Sequence, residues 1–208
     1  MTAPAAKERR RPTQEERRAA TRASIVAAAV EALAQDGYVA LTTRSVAQRA
    51  GVSQASVMHY FATRGLLLTA AMTTLCRLIV DEVEARAADL PSDDGSGAAI
   101  LDHLWDQLRG PRGTAIGQVW CAAWSDDDLT PVVAEFDREH IQATLSAMQR
   151  AYPPDTDPER LSAYVELVLA TMKGLLLVGP VTTPEGLCAR WATVRPMLIR
   201  AGADLRDG

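Results

Sequence analysis

One stretch, Thr43-Arg-Ser-Val-Ala-Gln-Arg-Ala-Gly-Val-Ser-Gln-Ala-Ser-Val-Met-His-Tyr-Phe61, constrains the fold more than any other. It reads as two short helices joined by a tight turn, a helix-turn-helix. The crossing point needs a small side chain, and Ala47 stands there. The turn needs a residue at ease with positive φ, and Gly51 supplies it. The inner faces must be apolar, and Val46, Ala50, Val52, Val57 and Tyr60 fill them. A plain amphipathic hairpin fills some of these slots by chance; here all are filled at the required spacing.

Helical spacing extends along the chain. A capping box at Thr13 and Glu16 opens a first helix with Ile25, Ala28, Ala29, Ala32 and Leu33 on one face, closed by Gly37. Ser53 caps the second helix of the motif, and Thr63 caps a long fourth helix carrying Leu66, Leu67, Ala70, Ala71, Leu75, Ile79 and Val83. Leu90 to Gly95 reads as a loop. Further helices are expected near 97–109, 113–125, 131–152, 158–178 and 184–201, with Pro131, Pro158 and Pro184 suited to first turns. The fold class is therefore all-α: an N-terminal three-helix unit (13–62) after a disordered basic arm (1–12), then a C-terminal helical bundle (63–208), about nine helices in all.

Charge divides in the same way. Residues 1–65 hold ten Lys/Arg against five Asp/Glu; residues 66–208 hold twelve against twenty-one, which together give the net −4. A basic head on an acidic body points the head at a polyanion. A recognition helix enters the major groove by its N-terminal end. Its outward residues are Gln54, Ala55, Ser56, Met58 and His59. Gln54 suits an adenine edge and Ala55 a thymine methyl. Helix starts at Thr43, Ser53 and Thr63 offer amides to phosphates, and Arg44 and Arg64 add cationic phosphate contacts.

With these residues in view, the chain resembles the TetR family of repressors over residues 20–70. The matching pieces are Ala34-Gln-Asp-Gly-Tyr38, Leu41-Thr-Thr-Arg-Ser-Val-Ala, Ala50-Gly-Val-Ser53, and His59-Tyr-Phe61 leading to Leu66. The resemblance implies that Thr43, Arg44, Ser53, Gln54, Ser56, Met58, His59, Tyr60 and Arg64 face or flank DNA. It also implies a C-terminal domain that dimerises and binds a small effector. Met58 replaces a common aromatic and Arg64-Gly65 a common Lys-Glu. Trp120-Cys-Ala-Ala-Trp124 loosely resembles the C-terminal domains of a choline-responsive subgroup, which does not identify the effector.

In the body, Trp105, Trp120 and Trp124 with Met72, Met148 and Met172 either line an effector cavity, with Cys121 beside them, or form ordinary core. His103 and His140 are polar handles in such a cavity or else surface or satisfied core histidines. The helix of Val165 to Val178 is apolar nearly all round and, with Leu187, Trp191, Val194, Met197 and Leu198, suits a homodimer contact, although the buried central helix of a monomer has the same pattern; Lys173 on it should snorkel or pair with an acid. Cys76, Cys121 and Cys188 form neither a disulfide framework nor a zinc site, and neither metal nor cofactor is expected. No apolar run approaches membrane-helix length, the longest being Leu66–Met72 and Gly174–Val181, so the expected location is the cytoplasm. The expected activity is regulation of transcription by a dimer on a palindromic operator, released by a small molecule. The alternatives are a helical interaction adaptor or an enzyme with a vestigial helix-turn-helix, although no catalytic constellation is visible.

Overall fold

The computed structural model describes residues 13–89 and 96–205. The expected basic arm, 1–12, and the loop 90–95 lie outside the described residues. The described residues form nine α-helices and one 3-10 turn, with no strand among them. The head consists of α1 (Gln14–Asp36), α2 (Thr43–Ala50) and α3 (Gln54–Tyr60), and α4 (Arg64–Asp89) leads out of it. The body adds α5 (Ser96–Arg109), α6 (Pro111–Ala123), α7 (Thr130–Ala151), α8 (Pro158–Leu177), the 3-10 turn Gly179–Val181 and α9 (Pro184–Ala203).

Local signals set the boundaries. The Thr13 hydroxyl accepts from Glu16 N–H at 3.1 Å while Thr13 N–H donates to the Glu16 carboxylate at 2.6 Å, which satisfies amides left free at the start of α1. Thr42 and Ser45 make the same reciprocal cap on α2. Prolines 111, 158 and 184 stand in first turns, where the missing N–H costs nothing.

Two clusters bury the apolar residues. One joins Ile25, Ala29 and Leu33 of α1 to Leu41, Val46, Val57, Phe61, Leu67, Ala71 and Leu75, and it continues into Ile116 and Val119 of α6 and Phe136 of α7. The head therefore shares its core with the body. The second gathers Val83, Leu101, Leu104, Met148, Val165, Leu169, Met172 and Leu198. Trp105 stacks on Trp191 at 4.7 Å, and Arg195 makes a two-pronged bond to Asp102 at 2.6 and 2.7 Å, tying α9 to α5.

The expectation of no membrane-length apolar run is corrected by residues 158–181, which form a segment of mean hydropathy 1.7, long and apolar enough to cross a membrane by length and composition. Its residues divide between two faces. Leu161, Val165, Val168, Leu169 and Met172 pack inward, whereas Leu167 and Leu177 stand half exposed. The sequence count missed the run because Tyr164, Glu166, Thr171 and Lys173 interrupt it.

Gly113 sits under the last turn of α5, where a Cβ would overlap the Leu108 backbone. Backbone cannot swing aside as a side-chain end can. Gly113→Ala should therefore destabilise the protein by about 1–3 kcal/mol, an overpacking cost, and thermal unfolding followed by circular dichroism should show the Tm falling by several degrees.

Candidate nucleic-acid interface

Gly51 adopts φ 66° and ψ 29°, the left-handed turn expected of it, and its neighbour Val52 donates to the Ala47 carbonyl at 3.1 Å. Ala47 is 5% exposed at the crossing, and Val46 and Val57 are fully buried beneath it. Ser53 caps α3 by accepting from Ser56 N–H at 3.0 Å. With the inner face of α3 committed to the core, its other face is pushed outward. Gln54, Ala55, Met58 and His59 are exposed, and Ser56 and Tyr60 are half-buried beside them.

Gln54 Nε2 donates to Thr43 Oγ1 at 3.1 Å, joining the start of α3 to the start of α2. Its carbonyl oxygen and second amide hydrogen remain in excess of that bond. Met58, 53% exposed, puts a flexible apolar tip beside Ala55 in place of an aromatic ring. His59 lies edge-on to the Tyr60 ring at 5.3 Å. Arg44 is exposed on α2. The ten residues expected at the interface thus lie on or beside α2, α3 and the start of α4.

Arg64 differs from expectation. Its Nε donates to the Leu41 carbonyl at 2.7 Å and its Nη2 to the Tyr38 carbonyl at 2.8 Å, and the guanidinium lies 4.7 Å from the Tyr38 ring centre. The fork binds the α1–α2 loop to α4, so its donors serve the head rather than standing free for phosphate. Sequence spacing shows only that a cation follows α3; the loop carbonyls it meets lie 23 and 26 residues away.

A head of this geometry, with a short apolar-backed helix offering polar tips beside exposed cationic side chains, is that of a helix-turn-helix DNA-binding transcription regulator. Residues 25–71 match the family of bacterial regulatory proteins described as the tetR family. That match runs from within α1, through α2 and α3, into the first turns of α4. It is 25% identical over 179 residues to an uncharacterized HTH-type transcriptional regulator of Mycobacterium tuberculosis, spanning 83% of this chain and 90% of that one. It is 28% identical over 175 residues to the HTH-type transcriptional regulator BetI 2 of Chromohalobacter salexigens, 81% of each chain. Among solved structures it is similar to the multidrug binding protein EbrR complexed with proflavin, at 25% identity and TM-score 0.59 over 87% of this chain and 99% of that one. A tetR-family regulator from Mesorhizobium loti shares the fold at 15% identity and TM-score 0.68, over 91% and 96%.

The residues expected to line an effector cavity are distributed through the body. Met72, Met148 and Met172 are fully buried and Trp105 nearly so, all packed into the two cores. Trp124 is 91% exposed, because α6 ends at Ala123 and turns it outward. His103 borders a groove of about 570 Å³ with Glu31, Glu82 and Arg112, and Cys121 opens into a different cleft.

Trp120 belongs to a buried polar centre that includes residues the sequence did not single out for it. Its ring lies 6.3 Å from Phe136, which stacks on His140 at 5.2 Å, and the Lys173 ammonium sits 4.6 Å above Trp120. Lys173 also pairs with Asp137, as expected of it. His140 departs from the satisfied core histidine of the sequence reading: it is 1% exposed, and neither ring nitrogen has a hydrogen-bond partner among the described residues. Thr144 Oγ1 and Trp120 Nε1 are likewise unpartnered there. The (i, i+4) pair His140 and Thr144 was legible as a shared face of α7, but their lack of partners depends on what α6 and α8 bring to it.

Burial first, then the Lys173 ammonium, lowers the His140 pKa from 6.5 to about 4, against the opposing pull of Asp137. The unfolded chain takes up this proton near pH 6.5 and the native chain only near pH 4. Stability should therefore be complete above the higher value and fall as pH drops through that window, by on the order of 3 kcal/mol in all. Urea unfolding of His140→Phe should show a flatter acid limb than the parent; equal slopes in the two proteins would exclude His140 as the source.

Proposed function

We propose that this regulator is a repressor that binds a palindromic operator as a homodimer and is released by a small molecule. The observation that carries the reading is the outward presentation of Gln54, Ala55, Met58 and His59 by a helix whose other side is locked in the core. In this assignment Gln54 reads an adenine edge, and Ala55 and Met58 lie against thymine methyls. Thr43, Arg44, Ser53, Ser56 and Tyr60 contact or border phosphates, and His59 flanks the groove. Arg64 contributes by holding the loop.

The second copy covers the outward sides of α8 and α9. Ala163, Leu167, Ala170, Gly174 and Leu177 recur at helical spacing on α8, all exposed, and α9 presents Ala189, Ala192, Pro196 and Met197. Small residues among large apolar ones let two helices approach closely, and a face that pairs with its own copy generates a two-fold axis. That axis sets two copies of α3 about 34–36 Å apart, one turn of the double helix.

The effector enters the body at Trp120, Phe136, His140, Thr144 and Lys173. A ligand that supplies partners for the His140, Thr144 and Trp120 polar atoms gains the bonds they lack. EbrR complexed with proflavin and with ethidium supports a small-molecule site in a protein of this fold. Release follows only if the ligand prefers the arrangement of heads that does not fit DNA, a coupling typically of about 1–3 kcal/mol. Repression, the location in the cytoplasm and the absence of an enzymatic reaction rest on the regulator reading alone.

Selection from a random DNA pool followed by gel shift should give an inverted-repeat sequence bound more tightly than random DNA, with affinity falling steeply as salt rises. Gln54→Ala should relax preference at one position in each half-site, a cost of about 1–3 kcal/mol. Arg44→Ala should weaken all sequences alike. Absence of any preference over random DNA at moderate salt would exclude the reading.

Sedimentation of the full chain should give a dimer. Leu167→Glu should give a folded monomer with helical content retained and DNA binding greatly weakened, because each half-site then has to be bound independently.

A further inference from the structure

Gly37 ends α1 at φ 81°, a conformation that L side chains rarely adopt. The turn aims the Tyr38 N–H at α6, where Gln118 Oε1 accepts it at 2.8 Å. A Cβ on Gly37 would meet that same Gln118 amide. One glutamine thus marks the seam at which the α1–α2 loop rests on α6.

Beside this seam lies a cleft of about 790 Å³, within the range of small-molecule sites. Tyr38 and Val39 of the head form one wall. Thr114, Gly117, Gln118 and Cys121 of α6 form the floor, and Leu176 to Leu187, through the 3-10 turn, form the far side. Gly117 lets Leu176 close down on the floor, since a Cβ there would stand 2.9 Å from Leu176 Cδ2. Val39 is 86% exposed, so the wall supplied by the head presents apolar surface to water. The charged lining groups, Asp36 and Arg109, are already paired, with Arg49 and Asp106 respectively.

We propose that this cleft is a binding site for an uncharged, largely apolar small molecule, and that its occupancy changes how the head rests on α6. Paired lining charges offer a free ion no counter-charge, whereas Thr114, Thr182 and Gln118 offer one or two hydrogen bonds at the edge of an apolar floor. The 100° step of the helix puts Thr114, Gln118 and Cys121 on the opposite side of α6 from Ile116, Trp120 and Ala123. The cleft is thus separated by α6 from the buried polar centre around His140. The binding site stands on the cleft alone; its effect on DNA takes only the DNA-binding reading from the preceding subsection.

The test uses the full chain carrying Cys188→Ser. Of the three cysteines, Cys76 is buried, with its thiol pushed up to about 12 by burial, which leaves Cys121 as the reactive thiol. The probe is N-phenyl-1-naphthylamine, an uncharged apolar fluorophore. Expected are saturable fluorescence enhancement, several-fold slower reaction of Cys121 with dithiobis(nitrobenzoate), and altered affinity for the selected DNA. Gly179→Phe, whose Cβ meets nothing within 4 Å, should abolish both enhancement and protection, with Thr114→Trp as a second filling variant; His140→Phe should preserve them. Protection that survives both filling variants, or probe binding that leaves Cys121 reactive, would overturn the site. Protection that follows protein concentration instead of probe would assign the cleft to the second copy and overturn it as well. Unchanged DNA affinity at saturating probe would overturn the coupling. A protein that selects no DNA would fail the regulator reading while the thiol and fluorescence results still judge the site.

Discussion

The close crossing of α2 over α3 is the constraint on which the rest of the molecule depends. Ala47 keeps the crossing tight, Gly51 makes the turn, and Val46 and Val57 are buried in one apolar cluster with residues of α1 and α4. A larger side chain at the crossing would lift α3, and its outward residues would lose their aim before any of them was altered. Arg64 completes the arrangement from outside by binding the Leu41 and Tyr38 carbonyls, which fixes the loop preceding α2. The outward face of α3 is thus a product of the packing behind it.

The same apolar cluster explains why the head and the body are mechanically joined. Leu67, Ala71 and Leu75 carry it down α4, and Ile116, Val119 and Phe136 receive it in the body. A 26-residue helix is about 39 Å long, so α4 reaches from the DNA side deep into the bundle. Helix α6 meets the head a second time through Gln118 while its opposite side carries Trp120 to the buried polar centre. Helix α6 thus touches both the head and the buried polar centre.

The body departs in two places from a purely structural bundle. His140 and Thr144 bury polar atoms that have no partner among the described residues, an arrangement that costs stability. The apolar outward face of α8 has the opposite character, exposing Leu167 and Leu177 to water in the single chain. Under the proposed function, a ligand satisfies the first and a second copy covers the second.

The sequence by itself determined the all-α class, the nine helices of the described residues with their ends within a few residues, and α3 with its outward residues. These are local properties: capping pairs, first-turn prolines, a 3.6-residue apolar period and a glycine at a left-handed turn each act over a few positions. The pairing of Lys173 with an acid was one of two outcomes legible for it, because a cation on so apolar a helix either snorkels outward or finds an acid. Only the tertiary structure decided that Arg64 clasps a loop, that Trp124 turns outward, that His140 lacks partners among the described residues and that Cys121 lines a cleft. Each of these depends on side chains brought together from distant parts of the chain, and helical periodicity states which face a residue occupies without stating which neighbour covers it.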